Sequence, residues 1–330
     1  MANYLTFSSP NEFTLASVKT TFIIVGFNPS YTNEGNWDGI LEYSTDTIIW
    51  HIWDGSTVLN SVNGQLYLRG INNTIITGPV TSDDGEASWS FNLTGENISC
   101  IGNIENLLDY TIVANGGHPV MEWGCYHALF SHCHALVKAP ELLAITLSVE
   151  CYQNMFEDCI NLKEMPSLPA TVLADYCYEA MFWGCTGLTT LSQLPATTLA
   201  TLCYETMFSG CTNIKLSTTK TNEYHTEYRI PSIGEGVTAT NALRDMFHQT
   251  GGTFTGTPEI NTIYYTSNEI VYIEDFTKTI IVYNGNEIAS LEAGQIATIK
   301  TANTEVEYDI IVKAGKGEVV EEWDGTVVIE

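Results

Sequence analysis

The sequence predicts an α+β fold class: a repeat solenoid flanked by N-terminal and C-terminal β-sandwich-like domains. Three observations carry this expectation. Four copies of one phrase, Cys125 to Cys133, Cys151 to Cys159, Cys177 to Cys185 and Cys203 to Cys211, follow each other every 26 residues without an insertion. A fixed period of this length marks units that cannot bury an apolar face alone and must stack. At both ends, short β-branched and aromatic runs alternate with Asn-Gly and Asp-Gly turns. With 330 residues, 44 % of them apolar, the chain exceeds one core and suits two or three domains.

Residues 1–95 read as an N-terminal β domain. Phe22 to Phe27, Ile40 to Tyr43, Thr47 to Trp53, Gln65 to Leu68 and Ser88 to Leu93 are the candidate strands. Asp38-Gly39, Asp54-Gly55, Asn63-Gly64 and Asp84-Gly85 separate them, and such pairs supply the positive φ of tight hairpin turns. A solenoid with caps spans 96–256. Ile101 to Leu108 suits a short helix over its open end, with Cys100 an unpaired core residue.

Within each repeat the two Cys and the intervening Leu129, Met155, Met181 or Met207 fall on one helical stripe, beside Phe130, Phe156, Phe182 and Phe208. Leu136, Leu162, Leu188 and Ile214 open a short extended segment, which Leu-Pro-Ala-Thr closes at 168–171 and 194–197 because proline cannot continue a ladder. Leu147, Leu173 and Leu199 bury a return leg. A strand plus a short helix in 26 residues fits the leucine-rich repeat window. Ala242 to Gln249 restores the Met-Phe pair without Cys and reads as a degenerate last repeat at the far cap. Residues 257–330 read as a small C-terminal β-sandwich, from Ile263 to Tyr265, Glu269 to Ile273, Thr279 to Tyr283, Gln295 to Lys300 and Glu307 to Val312, with turns at Asn284-Gly285 and Ala293-Gly294.

Twelve Lys and Arg against 39 Asp and Glu give a net charge of −27, which repels phosphate backbones and anionic lipid. Nucleic acid and membrane insertion are therefore not expected, and no segment approaches the apolar length that spans a bilayer. The first residues lack a basic leader, and Phe22 to Phe27 is too short for a signal core, so synthesis in a cytoplasm without Sec export is expected.

Eight of the nine cysteines occupy repeat positions, and they are expected to form a buried ladder of reduced thiols: Cys125, Cys133, Cys151, Cys159, Cys177, Cys185, Cys203 and Cys211. His118, Cys125, His127, His132, Cys133 and His134 have the composition of a zinc site. The Cys stand at ladder positions, however, and the imidazoles of His127, His132 and His134 in slots that vary between copies, so surface imidazoles and no metal are expected. Asp83-Asp84-Gly85-Glu86 offers oxygens without the spaced ligands of a calcium loop. The Trp-Asp-Gly sequences at Trp37, Trp53 and Trp323 build turns by default, and an exposed Trp can also stack on sugar. Glu157, Asp158, Glu179 and Glu205 are placed along an outer helical face. No phosphate loop, nucleophile elbow or zinc-protease helix is present, so no catalytic residue and no cofactor are assigned. Glu179, Trp183 and Glu205 are the candidate recognition surface.

The phrase Met-Phe-x-x-Cys-x-x-Leu followed by Leu-Pro-Ala-Thr, over about 121–216, resembles the BspA-like leucine-rich repeats of gut bacteria and their phages. Leu41 to Thr47 and Leu66 to Gly70 look like the leader that precedes such repeats. The resemblance implies an adhesion protein of such bacteria or a protein of their phages, and with no export signal in the sequence the expectation is a virion structural protein made in the host cytoplasm, either a capsid decoration or a tail or fibre component. Its partners would be other virion proteins or a host surface protein or glycan, with a homo-oligomer open. The alternatives are a bacterial cell-surface adhesin and a glycan-cleaving enzyme.

Overall fold

A computed structural model describes residues 3–22, 30–32, 37–77, 81–82, 85–271, 278–283, 286–292, 297–298, 310–313 and 326–327. The chain divides into two compact units, Met1–Tyr272 and Ile273–Glu330. Among the described residues it is built of β-strands in several small sheets and a single short helix, Asn106–Ala114.

In the first unit, a six-stranded sheet runs in the order Leu136–Lys138, Ile98–Ile101, Leu5–Ser8, Gln65–Ile71, Ile40–Ser44 and His51–Ile52. Alternation builds it: Leu5 and Phe7, then Leu66 and Leu68, point inward at every second residue, and Leu5 lies opposite Leu68. A second sheet centres on Thr14–Phe22 paired antiparallel with Gly85–Thr94. Of the predicted runs, Thr47 to Trp53 is a strand only at His51–Ile52, and Phe22 to Phe27 lies outside the described residues beyond Phe22. The helix sits five residues later than expected, at Asn106–Ala114, with Ile104, Leu107 and Leu108 buried at its start.

The expected leucine-rich repeat solenoid, with a strand and a helix per repeat, is overturned, and the backbone gives the reason. Within the Cys-to-Cys phrase, odd-numbered amides of the first copy close three-residue turns: Cys125 N–H donates to Glu122 O, Leu129 to Tyr126 O and Cys133 to Phe130 O, at 3.0–3.2 Å. Even-numbered amides leave the repeat altogether. Tyr126 N–H donates to Cys151 O, Ala128 to Gln153 O, Phe130 to Met155 O and His132 to Glu157 O, at 2.7–2.9 Å. An α-helix would send each amide to the carbonyl four residues back. Every fourth residue also takes positive φ, as at Gly124, Ala128 and His132 or Glu150, Asn154 and Asp158, and a right-handed helix admits none. The strand part is equally reduced: Leu136–Lys138, Thr190–Ser192 and Lys215–Ser217 have three residues each, and Pro140, Pro166, Pro169 and Pro195 deny longer ladders a donor.

What results is a stack of turn-built layers. Phe130, Phe156, Phe182, Phe208 and Phe247 stack ring on ring at 5.4–5.9 Å, and Tyr126, Tyr152, Tyr178 and Tyr204 do so at 5.6–5.7 Å. The fifth layer comes 39 residues after the fourth instead of 26, with Ala242, Leu243, Met246 and Phe247 in the places of Cys203, Tyr204, Met207 and Phe208. The inserted residues carry the strand Thr226–Arg229, which pairs with Ile263–Thr266. At the other end, Phe91 takes the place of a preceding layer: its N–H donates to Leu129 O at 2.7 Å and its ring meets Phe130 edge-on at 5.7 Å. One hydrophobic core therefore continues from Leu5 to Tyr264, across residues 95–96 and 256–257 where domain boundaries were expected.

The second unit contains an antiparallel three-stranded sheet, Asn286–Glu292, Lys278–Tyr283 and Ile310–Lys313, and a pair, Ala297–Thr298 with Thr326–Val327. The predicted turns at Asn284-Gly285 and Ala293-Gly294 lie outside the described residues, as do 295–296, 299–300 and 307–309 of the predicted strands.

Candidate functional site

The four-residue turn sorts side chains in pairs. Cys125, Tyr126, Leu129, Phe130 and Cys133 are buried, and in the slots between them Ala128 is buried too, His127 and Ser131 are part-buried and His132 is exposed. Stacking turns each outward position into a row across the layers. One row reads His127, Gln153, Glu179, Glu205 and Arg244; its neighbour reads Ser131, Glu157, Trp183, Ser209 and His248. These rows contain the whole predicted recognition surface.

The first row is joined end to end in part. Gln153 Nε2 donates to Glu179 Oε2 at 2.6 Å, and the Arg244 guanidinium pairs with Glu205 Oε1. Glu205, placed on a solvated face by the sequence, is buried in the structure, and its charge is matched by Arg244 from the fifth layer. Glu179 is half-buried; burial first, and then the Glu205 carboxylate, raise its pKa to about 7, against a smaller lowering by Arg244. In the second row Trp183 is 41 % exposed, the only indole of the predicted surface. Before it, Glu157 accepts from Asn154 Nδ2 at 2.9 Å, and burial raises its pKa.

The imidazoles separate. His118 Nδ1 lies 2.9 Å from both oxygens of the fully buried Glu105. His132 is exposed, with Nε2 at 3.6 Å from Asp158 Oδ2, and His134 is exposed too. His127 departs from the surface position expected of it: its Nδ1 is buried, and burial lowers its pKa to about 4, so the ring is neutral. Among the described residues, no three of His, Cys, Asp and Glu converge so as to hold a metal ion.

All nine cysteines are free and buried. The second Cys of each layer has a specific task. Cys133, Cys159, Cys185 and Cys211 point Sγ at the carbonyls of Phe91, Phe130, Phe156 and Phe182 in the preceding layer, at 2.9–3.1 Å. Each thiol thus donates across the stack from inside the core. Burial pushes the Cys133 and Cys211 thiols up to about 12, far from the thiolate form.

The tryptophan turns serve the fold. Trp53 is buried, donates Nε1–H to Thr57 O at 2.8 Å and packs on Trp37 at 5.1 Å. Asp38 reaches beyond its own turn and accepts from the Thr74 and Ile75 amides at 2.8 and 3.0 Å. Asp83, Asp84 and Trp323 lie outside the described residues.

Sequence reasoning missed Gln153 and Arg244, the two residues that tie Glu179 and Glu205. Gln153 was findable, since it stands 26 residues before Glu179. Arg244 was hidden by the longer last repeat, which puts it 39 residues after Glu205. Comparison with protein-family models, with curated protein sequences and with solved structures finds no match to the chain.

Proposed function

We propose that this chain is a non-catalytic structural and attachment protein of a bacteriophage particle, a capsid decoration or a tail or fibre component. The observation that carries the reading is the division of labour within the repeat. The inward positions hold Cys, Tyr, Leu or Met, Phe and Cys in all four copies, while the outward row changes from His127 to Gln153 to Glu179 to Glu205. An interior that repeats and an exterior that varies suit a scaffold that presents a surface. The repeat phrase, similar to that of BspA-like proteins of gut bacteria and their phages, supports the particle assignment.

In this reading the outward rows meet a host surface protein or glycan. Trp183 supplies an aromatic face for a sugar ring or an apolar anchor, and the half-buried carboxylates Glu157 and Glu179 supply acceptors for hydroxyls. The Glu205 carboxylate is taken by Arg244, which argues against a glycosidase pair with Glu179.

Mass spectrometry of purified particles from the producing host tests the assignment. A stoichiometric presence supports it, and absence from particles overturns it. Release of the protein from intact uninfected bacteria by surface proteolysis would favour a cell-surface adhesin instead.

A further inference from the structure

We propose that Gln153, Glu179, Glu205 and Arg244 form a proton-operated clasp across four consecutive layers, closed when Glu179 carries a proton and loosened by carboxylate repulsion when it does not. The backbone fixes the geometry. Asn154 N–H donates to Glu179 O at 3.0 Å, Ala180 N–H to Glu205 O at 2.9 Å and Thr206 N–H to Arg244 O at 2.9 Å. Side chains at this repeat position are therefore held side by side, one layer apart. They cannot separate without opening these bonds.

The two ends are tied and the middle is not. Gln153 donates to Glu179 from one side, and Arg244 pairs with Glu205 from the other. That leaves two neighbouring carboxylates with one guanidinium, already engaged by the buried partner. The groups facing Glu179 are Gln153 and Glu150 from the preceding layer and Glu205, backed by Arg244, from the following ones. Within its own layer, Asp175 is exposed and Trp183 has no ionisable group. His127, two layers back, is neutral. A proton on Glu179 removes the like-charge repulsion from Glu205 and places an O–H donor beside that carboxylate. The row then runs from the Gln153 amide through both carboxyls to Arg244.

The sign of the effect follows from linkage. Glu179 titrates near 7 in the folded chain against an ordinary 4.5, so between these values the folded state binds more protons than the unfolded one. Stability contributed by the closed row is complete below pH 4.5, falls as pH rises towards 7, and is absent above. Glu150 and Glu157, whose pKa values burial also raises, add a slope of the same sign.

The test is carboxyl 13C NMR of the full-length chain from pH 4 to 9, together with hydrogen exchange at the Ala180 and Thr206 amides. Three proteins are compared: wild type, Glu179→Gln and Glu205→Gln. In the wild type Glu179 should titrate near 7, and opening of the two amides, corrected for intrinsic exchange, should rise by about tenfold between pH 5 and pH 8. Glu179→Gln should lose most of this rise, keeping the share from Glu150 and Glu157. Glu205→Gln should bring the Glu179 midpoint down towards 4.5. A wild-type midpoint near 4.5, or an unmoved midpoint in Glu205→Gln, overturns the proposal. These two readings stand even if Glu179→Gln does not fold, and none depends on what the protein attaches to.

Discussion

Cys185 shows how one atom type serves two needs. Its side chain fills a fully buried slot, and its Sγ lies 3.0 Å from Phe156 O, a carbonyl that also accepts from the Cys159 amide. Serine would supply the donor but bury a hydroxyl, and alanine would lose the donor and leave a void. Cys185→Ala should therefore destabilise the protein by about 1–3 kcal/mol, measured by chemical denaturation. The same burial predicts that Ellman's reagent titrates none of the nine thiols in the folded protein and all nine after unfolding. A rapid reaction of any ladder thiol in native buffer would contradict the buried ladder. The burial of these cysteines was legible from their register alone. Their donation to the Phe carbonyls was not, because a repeated small hydrophobe looks the same with or without a bond.

At the scale of the element, the turn segment in place of a helix rests on its positive φ positions. Gly184 has φ 72°, and a Cβ there would meet Asp158 Oδ1 at 1.9 Å. Ala180 has φ 50° without the freedom of glycine. Gly184→Ala should cost at least about 1 kcal/mol, whereas Ala180→Gly should be neutral or stabilise by up to about 1 kcal/mol. A helix would reverse both signs, since Gly to Ala favours a helix interior, so paired denaturation curves separate the two backbones. The sequence could not separate them by apolar spacing. Buried pairs at 125 and 126, at 129 and 130, and then at 133 repeat every four residues, and over nine residues that stripe coincides with the 3.6-residue period of a helix. The discriminating signal lay in the outward slots, where Asn154, Asp158, Gly184 and Gly210 are residue types that tolerate the left-handed region. In the N-terminal sheets, by contrast, strict alternation in Leu5–Ser8 and Gln65–Ile71 made the strands readable, because a period of two has no competitor.

For the whole molecule, each layer bonds to the one before and the one after, so stability should divide into similar increments. Deleting residues 151–176 removes one layer and leaves the register intact: Tyr126 would then stack on Tyr178, and Cys185 Sγ would meet Phe130 O. The shortened chain should fold, with an unchanged circular dichroism signature per residue and a modestly lower denaturation midpoint. Deleting two residues fewer should abolish folding, because it puts outward side chains into the core. The net charge of −27 was legible from composition, but the way the carboxylates divide was not. Glu205 is drawn inside by Arg244, a partner from the one repeat whose length breaks the period.

The fifth layer also settles where the stack stops. Its Phe247 amide and carbonyl, which in earlier layers would engage a neighbour, are both taken by Gly256, at 2.9 and 3.0 Å; Asp245 N–H is taken by Thr257 Oγ1 at 2.8 Å, and Tyr228 stands edge-on to the Phe247 ring. An incoming chain therefore finds no open amide at these positions and no bare ring. A second chain stacking end-on at Phe247 or Asp245 would first have to displace Gly256 or Thr257.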